Sequence, residues 1–233
     1  MTKSMNYIKR ATIGLCAIAV YFIMSQLEAL PLQLCGIDPT TMNITVKIFY
    51  MLVYELLMIA ILMLLFHKTL EENFKDLKKN HKEYYSKYFK YWLIALGIMM
   101  VSNTVISLLS SGGIPQNEEI IRQNFQVSPF YVYLSSVFFA PIVEELVFRQ
   151  GIRNVIPINS IFIITSALVF GSLHVVTSMT SAIDLLYLIP YCAPGFAFAY
   201  MLAKTDNIFV SMGLHCMHNG LLMSLQFFLM FFG

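Results

Sequence analysis

IFYMLVYELLMIAILMLLF, residues Ile48–Phe66, carries one charged side chain, Glu55, in a run long enough to cross a bilayer. A membrane helix needs about 20 mostly apolar residues at ~1.5 Å each. A strand edge in lipid would leave backbone N–H and C=O groups unpaired, so the run reads as helix. Comparable runs cover residues 11–27, 91–110, 129–148, 158–176, 185–203 and 208–232. The expected fold class is all-α: a polytopic transmembrane helical bundle of about seven spans, within a range of roughly six to eight.

Composition points the same way. The 233 residues are 58% hydrophobic and 12% charged, with a mean hydropathy of +0.70. A soluble domain carries about twice that charged fraction. The lipid bilayer is therefore the first partner, and a net charge of +2 gives no surface for nucleic acid. The four cysteines, Cys16, Cys35, Cys192 and Cys216, form no CxxC pair and read as small apolar residues rather than a disulfide or metal framework. The first run follows a basic start, is long for a signal peptide and ends in no small-x-small site, so it reads as a retained helix.

Basic residues set an expected orientation. With the N-terminus inside, only Lys47 and Arg122 of the 15 Lys and Arg residues fall outside; Lys3, Arg149 and Arg153 are among those inside. The positive-inside rule then gives a cytoplasmic N-terminus in a multi-pass cell membrane protein. The Ile, Lys, Asn and Met content suggests a bacterial plasma membrane. His67–Lys90, with seven lysines and four acids, reads as a solvated, partly helical cytoplasmic loop. The chain divides into residues 1–90 (two membrane helices and the basic loop), 91–127 (a third helix and an external loop turning at Gly112, Gly113 and Pro115) and 128–233 (a core rich in buried polar groups).

Ionisable groups at membrane depth are costly and mark candidate sites. Three sets stand out. In Glu144-Glu145-Leu146-Val147-Phe148-Arg149, Glu145 and Arg149 share a helical face in the favourable order for an ion pair. Glu144 points about 100° away and stays free, which suits a general base; two acids reaching to the interface beside Arg149 is the plainer reading. Phe170-Gly171-Ser172-Leu173-His174 places a histidine in an apolar span, as a core residue or a catalytic one, with small residues permitting close helix approach. His215-Cys216-Met217-His218-Asn219 puts His215 and Asn219 on one face, as interhelical hydrogen-bonding groups or as a site. One interior site would satisfy all three sets. Glu55 is isolated, either pairing across the bundle or staying protonated. Pro190 and Pro194 should bend the sixth span.

EExxxR, FxxxH and HxxxN on successive spans resemble the CPBP family, the CAAX protease and bacteriocin-processing (Abi) membrane proteins, over residues 128–225. The resemblance implies an intramembrane endopeptidase, glutamate-type or metalloprotease, acting on a membrane-bound or amphipathic peptide or membrane-protein substrate. It implies that Glu144 and His174 activate water and that His215 and Asn219 stabilise the oxyanion. Glu145 completes the catalytic set, with Arg149 and Phe170 as structural support. No cofactor is expected, although zinc on Glu144, His174 and His215 stays open. Bacteriocin or signalling-peptide processing, or self-immunity, is the implied setting. The alternatives are a non-enzymatic immunity or scaffold protein binding a bacteriocin or membrane partner, and a transporter, for which the expected repeat symmetry is missing. With the fifth span starting near Ile158, His174 stands ~24 Å along its helix and Glu144 only ~7 Å from Arg149. A tilt, a later start or a kink must bring the two together.

Overall fold

Apolar runs become helices whose ends are set by local polar groups. Asn6 caps the first by accepting the Lys9 N–H at 3.0 Å, and Asn43 caps another through the Thr45 N–H at 2.9 Å. The computed structural model describes residues 6–110, 113–177 and 179–232; Lys3 and Gly112, used in the sequence reading, lie outside them. In chain order the helices are α1 (Tyr7–Leu27), α2 (Leu30–Leu34), α3 (Ile44–Leu65), α4 (His67–Leu109), α5 (Gln116–Val127), α6 (Pro129–Val155), α7 (Asn159–Val175), α8 (Ala182–Thr205) and α9 (Ile208–Phe232). Six of them, α1, α3, α4, α6, α8 and α9, are long and apolar enough to cross a membrane, and α7 is a shorter apolar helix. There is no strand among the described residues. The protein is a polytopic helical bundle.

Contacts at the helix ends define two faces. On one, the Tyr7 hydroxyl donates to the Val155 carbonyl at 2.8 Å, Asn73 donates to the Asp206 carbonyl at 3.2 Å, and Arg153 lies 3.5 Å from Asp206. On the other, the Tyr50 hydroxyl donates to the Glu28 carbonyl, and Tyr187 donates to the Gly113 carbonyl at 2.8 Å. With α7 counted among them, successive spans run in alternate directions. α7 joins the two faces as well, because its far end, Val175, packs with Tyr187 and Ile106.

Two elements differ from the sequence expectation. His67–Lys90 is not a partly helical loop; it is helix continuous with the third span, giving a 43-residue α4. The stretch contains no Gly or Pro to end it, and Glu71–Lys75 and Asp76–Asn80 pair one turn apart at 2.5 and 2.7 Å. Its start is also tied down: Asn207 donates to the Asn73 carbonyl at 2.8 Å and to Asp76 at 2.7 Å. The fourth span, for its part, does not stop near Phe148 but continues to Val155, and Arg149, Gln150, Arg153 and Asn154 are buried. Arg149 and Arg153 are therefore packing groups of the bundle rather than loop charges.

Small residues let the helices approach. A side chain at Gly14 of α1 would strike the Gly151 carbonyl of α6, and one at Gly171 of α7 would strike the Cys192 sulfur of α8. The latter is the close approach expected around Gly171. Pro190 falls early in the α-helical part of α8, after a 3-10 stretch (Ala182–Tyr187), where a missing N–H costs little; Pro194 lies inside the helix.

Gly14→Val should lower stability in detergent by ~1–3 kcal/mol through overpacking. Gly97→Ala, with open space around it, should be neutral or stabilising by ~0.5–1 kcal/mol. Thermal melts of the two variants check this contrast.

Candidate active site

The site is built around a wide helical turn. Within α6, Glu145–Gly151 is π-helical and every residue of it is buried; such turns concentrate at functional positions. Arg149 and Glu145 are both fully inaccessible (0%), with Nε 3.3 Å from Oε1. The same Glu145 oxygen lies 3.0 Å from His215 Nδ1 on α9. The guanidinium sits 3.9 Å over the Phe170 ring, with Phe198 at 5.8 Å. Its two terminal nitrogens have no hydrogen-bond partner among the described residues, so aromatic faces take the place of acceptors there. The EExxxR arginine thus forms a buried chain, Arg149–Glu145–His215, that links α6 to α9 with Phe170 of α7 stacked on it.

Glu144 faces the other way. One of its oxygens is 3.6 Å from His215 Nε2 and the other is 3.9 Å from His174 Nε2. The His174 Nδ1 lies 2.9 Å from the Phe170 carbonyl, and a carbonyl can only accept. The Nδ1–H therefore donates, leaving the Nε2 lone pair toward Glu144. By the same logic His215 donates Nδ1–H to Glu145. Tyr191 stacks on His174 at 4.9 Å and Phe198 on His215 at 4.8 Å, fixing both rings. A spacing of 3.9 Å exceeds a direct hydrogen bond and suits one bridged by water.

Asn219 completes the arrangement. Its amide donates to the Ser136 carbonyl at 2.8 Å, and an NH2 group keeps a second N–H for another acceptor. Ser136 lies in a second π-helical stretch, Ser135–Phe139. Glu144, His174, His215, Asn219 and Phe170 all line one cavity of about 740 Å3, whereas Glu145 and Arg149 lie behind it. All seven residues singled out in the sequence thus form one centre, in two layers. The depth mismatch between Glu144 and His174 narrows because α6 runs on to Val155, which sets Glu144 ~17 Å up its helix, and the two side chains come within 3.9 Å. Glu55 pairs across the bundle, accepting from Ser135 at 2.6 Å and Tyr131 at 3.2 Å.

Residues 126–221 match the family described as "Type II CAAX prenyl endopeptidase Rce1-like". Over this segment, which also holds the three motifs of the CPBP resemblance, the chain is similar to that family. A Bacillus subtilis relative named "Putative membrane peptidase YdiL" is 31% identical over 114 residues, which cover 48% of this chain and 43% of the relative. An uncharacterized protein of Mycoplasma capricolum is 32% identical over 117 residues, covering 45% of this chain and 33% of its own length. The match therefore spans less than half of either relative. No solved structure matches the chain. The matched segment contains Glu144, Glu145, Arg149, His174, His215 and Asn219.

Glu144, His174 and His215 are the residues that a zinc would need. The carboxylate lies between the two rings, and no group of three or more His, Cys, Asp or Glu converges as a metal shell among the described residues. Several site residues escaped the sequence reading. Trp92 of α4 donates its indole N–H to His218 at 3.2 Å, which gives the extra histidine of the HxxxN stretch a partner outside the matched segment. Tyr191 and Phe198 looked like ordinary span residues. Ser136 carried a legible signal: Ser136, Ala140 and Glu144 recur every four residues and line the cavity together.

Arg149→Met should destabilise the fold by ~3–5 kcal/mol, because the buried Glu145 loses its cation and keeps only the His215 hydrogen bond. Adding Glu145→Gln should recover much of that loss. Equilibrium unfolding in detergent of the single and double variants tests the coupling.

Proposed function

We propose that this chain is an intramembrane endopeptidase that hydrolyses a peptide bond of a membrane-bound or amphipathic peptide. The observation that carries the reading is the free Glu144 carboxylate held between two histidine rings whose outer nitrogens are already committed. Glu144, with the His174 Nε2 lone pair, takes a proton from a water molecule between them. The water oxygen then bonds to the peptide carbonyl carbon. Asn219, through its remaining N–H, and His215, when protonated at Nε2, donate to the resulting oxyanion. Collapse breaks the C–N bond as Glu144 returns its proton to the leaving nitrogen. No metal enters these steps.

Glu145 and Arg149 position rather than react: they hold the His215 ring and its proton on Nδ1. Cytoplasmic placement of the N-terminus in a bacterial plasma membrane follows from the Lys and Arg distribution and fits the bacterial relatives. Maturation of a bacteriocin or signalling peptide, or self-immunity, is the physiological setting proposed.

Glu144→Gln keeps the shape but removes the base, and should cost ~10²–10⁴ in rate. Membrane peptidomics of cells with wild-type or Glu144→Gln protein at matched abundance should show a precursor accumulating only in the variant. Unchanged peptides with a preserved cellular phenotype would instead assign the chain a binding or immunity role. Asn219→Leu should cost ~10²–10³ through the lost oxyanion donor, and activity should survive a strong zinc chelator; both are read on the accumulated precursor.

A further inference from the structure

The cavity is much longer than the catalytic centre needs, and its extra length has a clear structural cause. Tyr88, Trp92 and Ala95 of α4 pack with Val210 and Leu214 of α9. Further along, Ile106 of α4 packs instead with Val175 and Tyr187, while Met223 of α9 packs with Phe125, Val132 and Val137. The two helices therefore meet at the lysine-rich end, where the Trp92 indole donates to His218, and diverge toward the other face. The wedge between them is continuous with the cavity holding Glu144, His174 and His215.

The α4 and α9 walls of the wedge carry Met99, Met100, Leu222 and Leu229 with amides at Asn103 and Gln226, and α5 lines it as well, with the paired Glu118 and Arg122. Asn103 Oδ1 is buried without a hydrogen-bond partner among the described residues. From His215 to Met230 the wall runs ~22 Å at ~1.5 Å per residue, which accommodates about six residues of extended chain at ~3.3 Å each. An extended segment in lipid must have its N–H and C=O groups paired by the protein. Amides set in an apolar wall supply such pairing.

We infer that the wedge between α4 and α9 is the peptide-binding channel. It takes an extended, apolar segment of about six residues, entering on the face away from the lysine-rich end of α4, with Asn103 and Gln226 pairing the peptide backbone. The inference rests on the peptidase reading for its occupant, but its route is a property of the fold alone.

The route is tested with single cysteines introduced where Cys16 and Cys35 have been replaced by serine. Asn103→Cys, Gln226→Cys and, on exposed Lys79, Lys79→Cys are treated with a membrane-impermeant thiol reagent in right-side-out and inside-out vesicles. Asn103→Cys and Gln226→Cys should label in one preparation and Lys79→Cys in the other. Labelling of Asn103→Cys from the same side as Lys79→Cys, or from neither side, overturns the route. The pairing role is read on the peptide found by peptidomics: Asn103→Leu and Gln226→Leu should each raise KM at least fivefold with kcat within twofold, and Asn103→Gln should restore KM. An unchanged KM in both leucine variants overturns the pairing. If no peptide is processed by the wild-type protein, the peptidase reading falls, and the labelling result still decides the route.

Discussion

The rest of the structure depends on the burial of one guanidinium. Arg149 has no access to solvent, and among the described residues its ion-pair partner is Glu145, which is equally buried and shared with His215. Charges taken out of water are costly unless geometry and partners compensate. Here the compensation comes from one carboxylate, one imidazole and the faces of Phe170 and Phe198. Four helical segments, α6, α7, α8 and α9, must therefore sit where they do, because each contributes a group to the charge. With Glu145 committed to Arg149 and His215, Glu144 is the one of the two adjacent carboxylates that faces the cavity.

The same helix solves a second problem, how to put polar chemistry in a place without lipid-exposed backbone. α6 widens twice, at Ser135–Phe139 and Glu145–Gly151, and each wide turn serves the centre. The first includes Ser136, whose carbonyl fixes the Asn219 amide, and begins at Ser135, held by Glu55. The second packs Glu145 and Arg149 into the interior. Packing does the rest: α4 leaves α9 beyond Trp92 because its far end is held by Val175 and Tyr187, and the space between becomes the approach to the centre.

The sequence by itself determined the class and the cast. Charge-poor runs of bilayer length can only be helices, since lipid offers no partner for a backbone group. Glu144, Glu145, Arg149, Phe170, His174, His215 and Asn219 were legible because ionisable and amide groups in such runs are costly, and three helices carrying them imply one interior. What sequence could not decide was depth, extent and pairing. Residues 67–90 looked like a loop because their charges mask a helix that lacks any Gly or Pro to end it. Arg149 was legible as the ion-pair partner of Glu145, but the groups on α7, α8 and α9 that compensate its burial were not. Which carboxylate meets which ring, where α6 widens, and the wedge beside Asn103 depend on contacts between residues far apart in the chain. Such contacts have no local periodicity to announce them, so only the tertiary structure decided them.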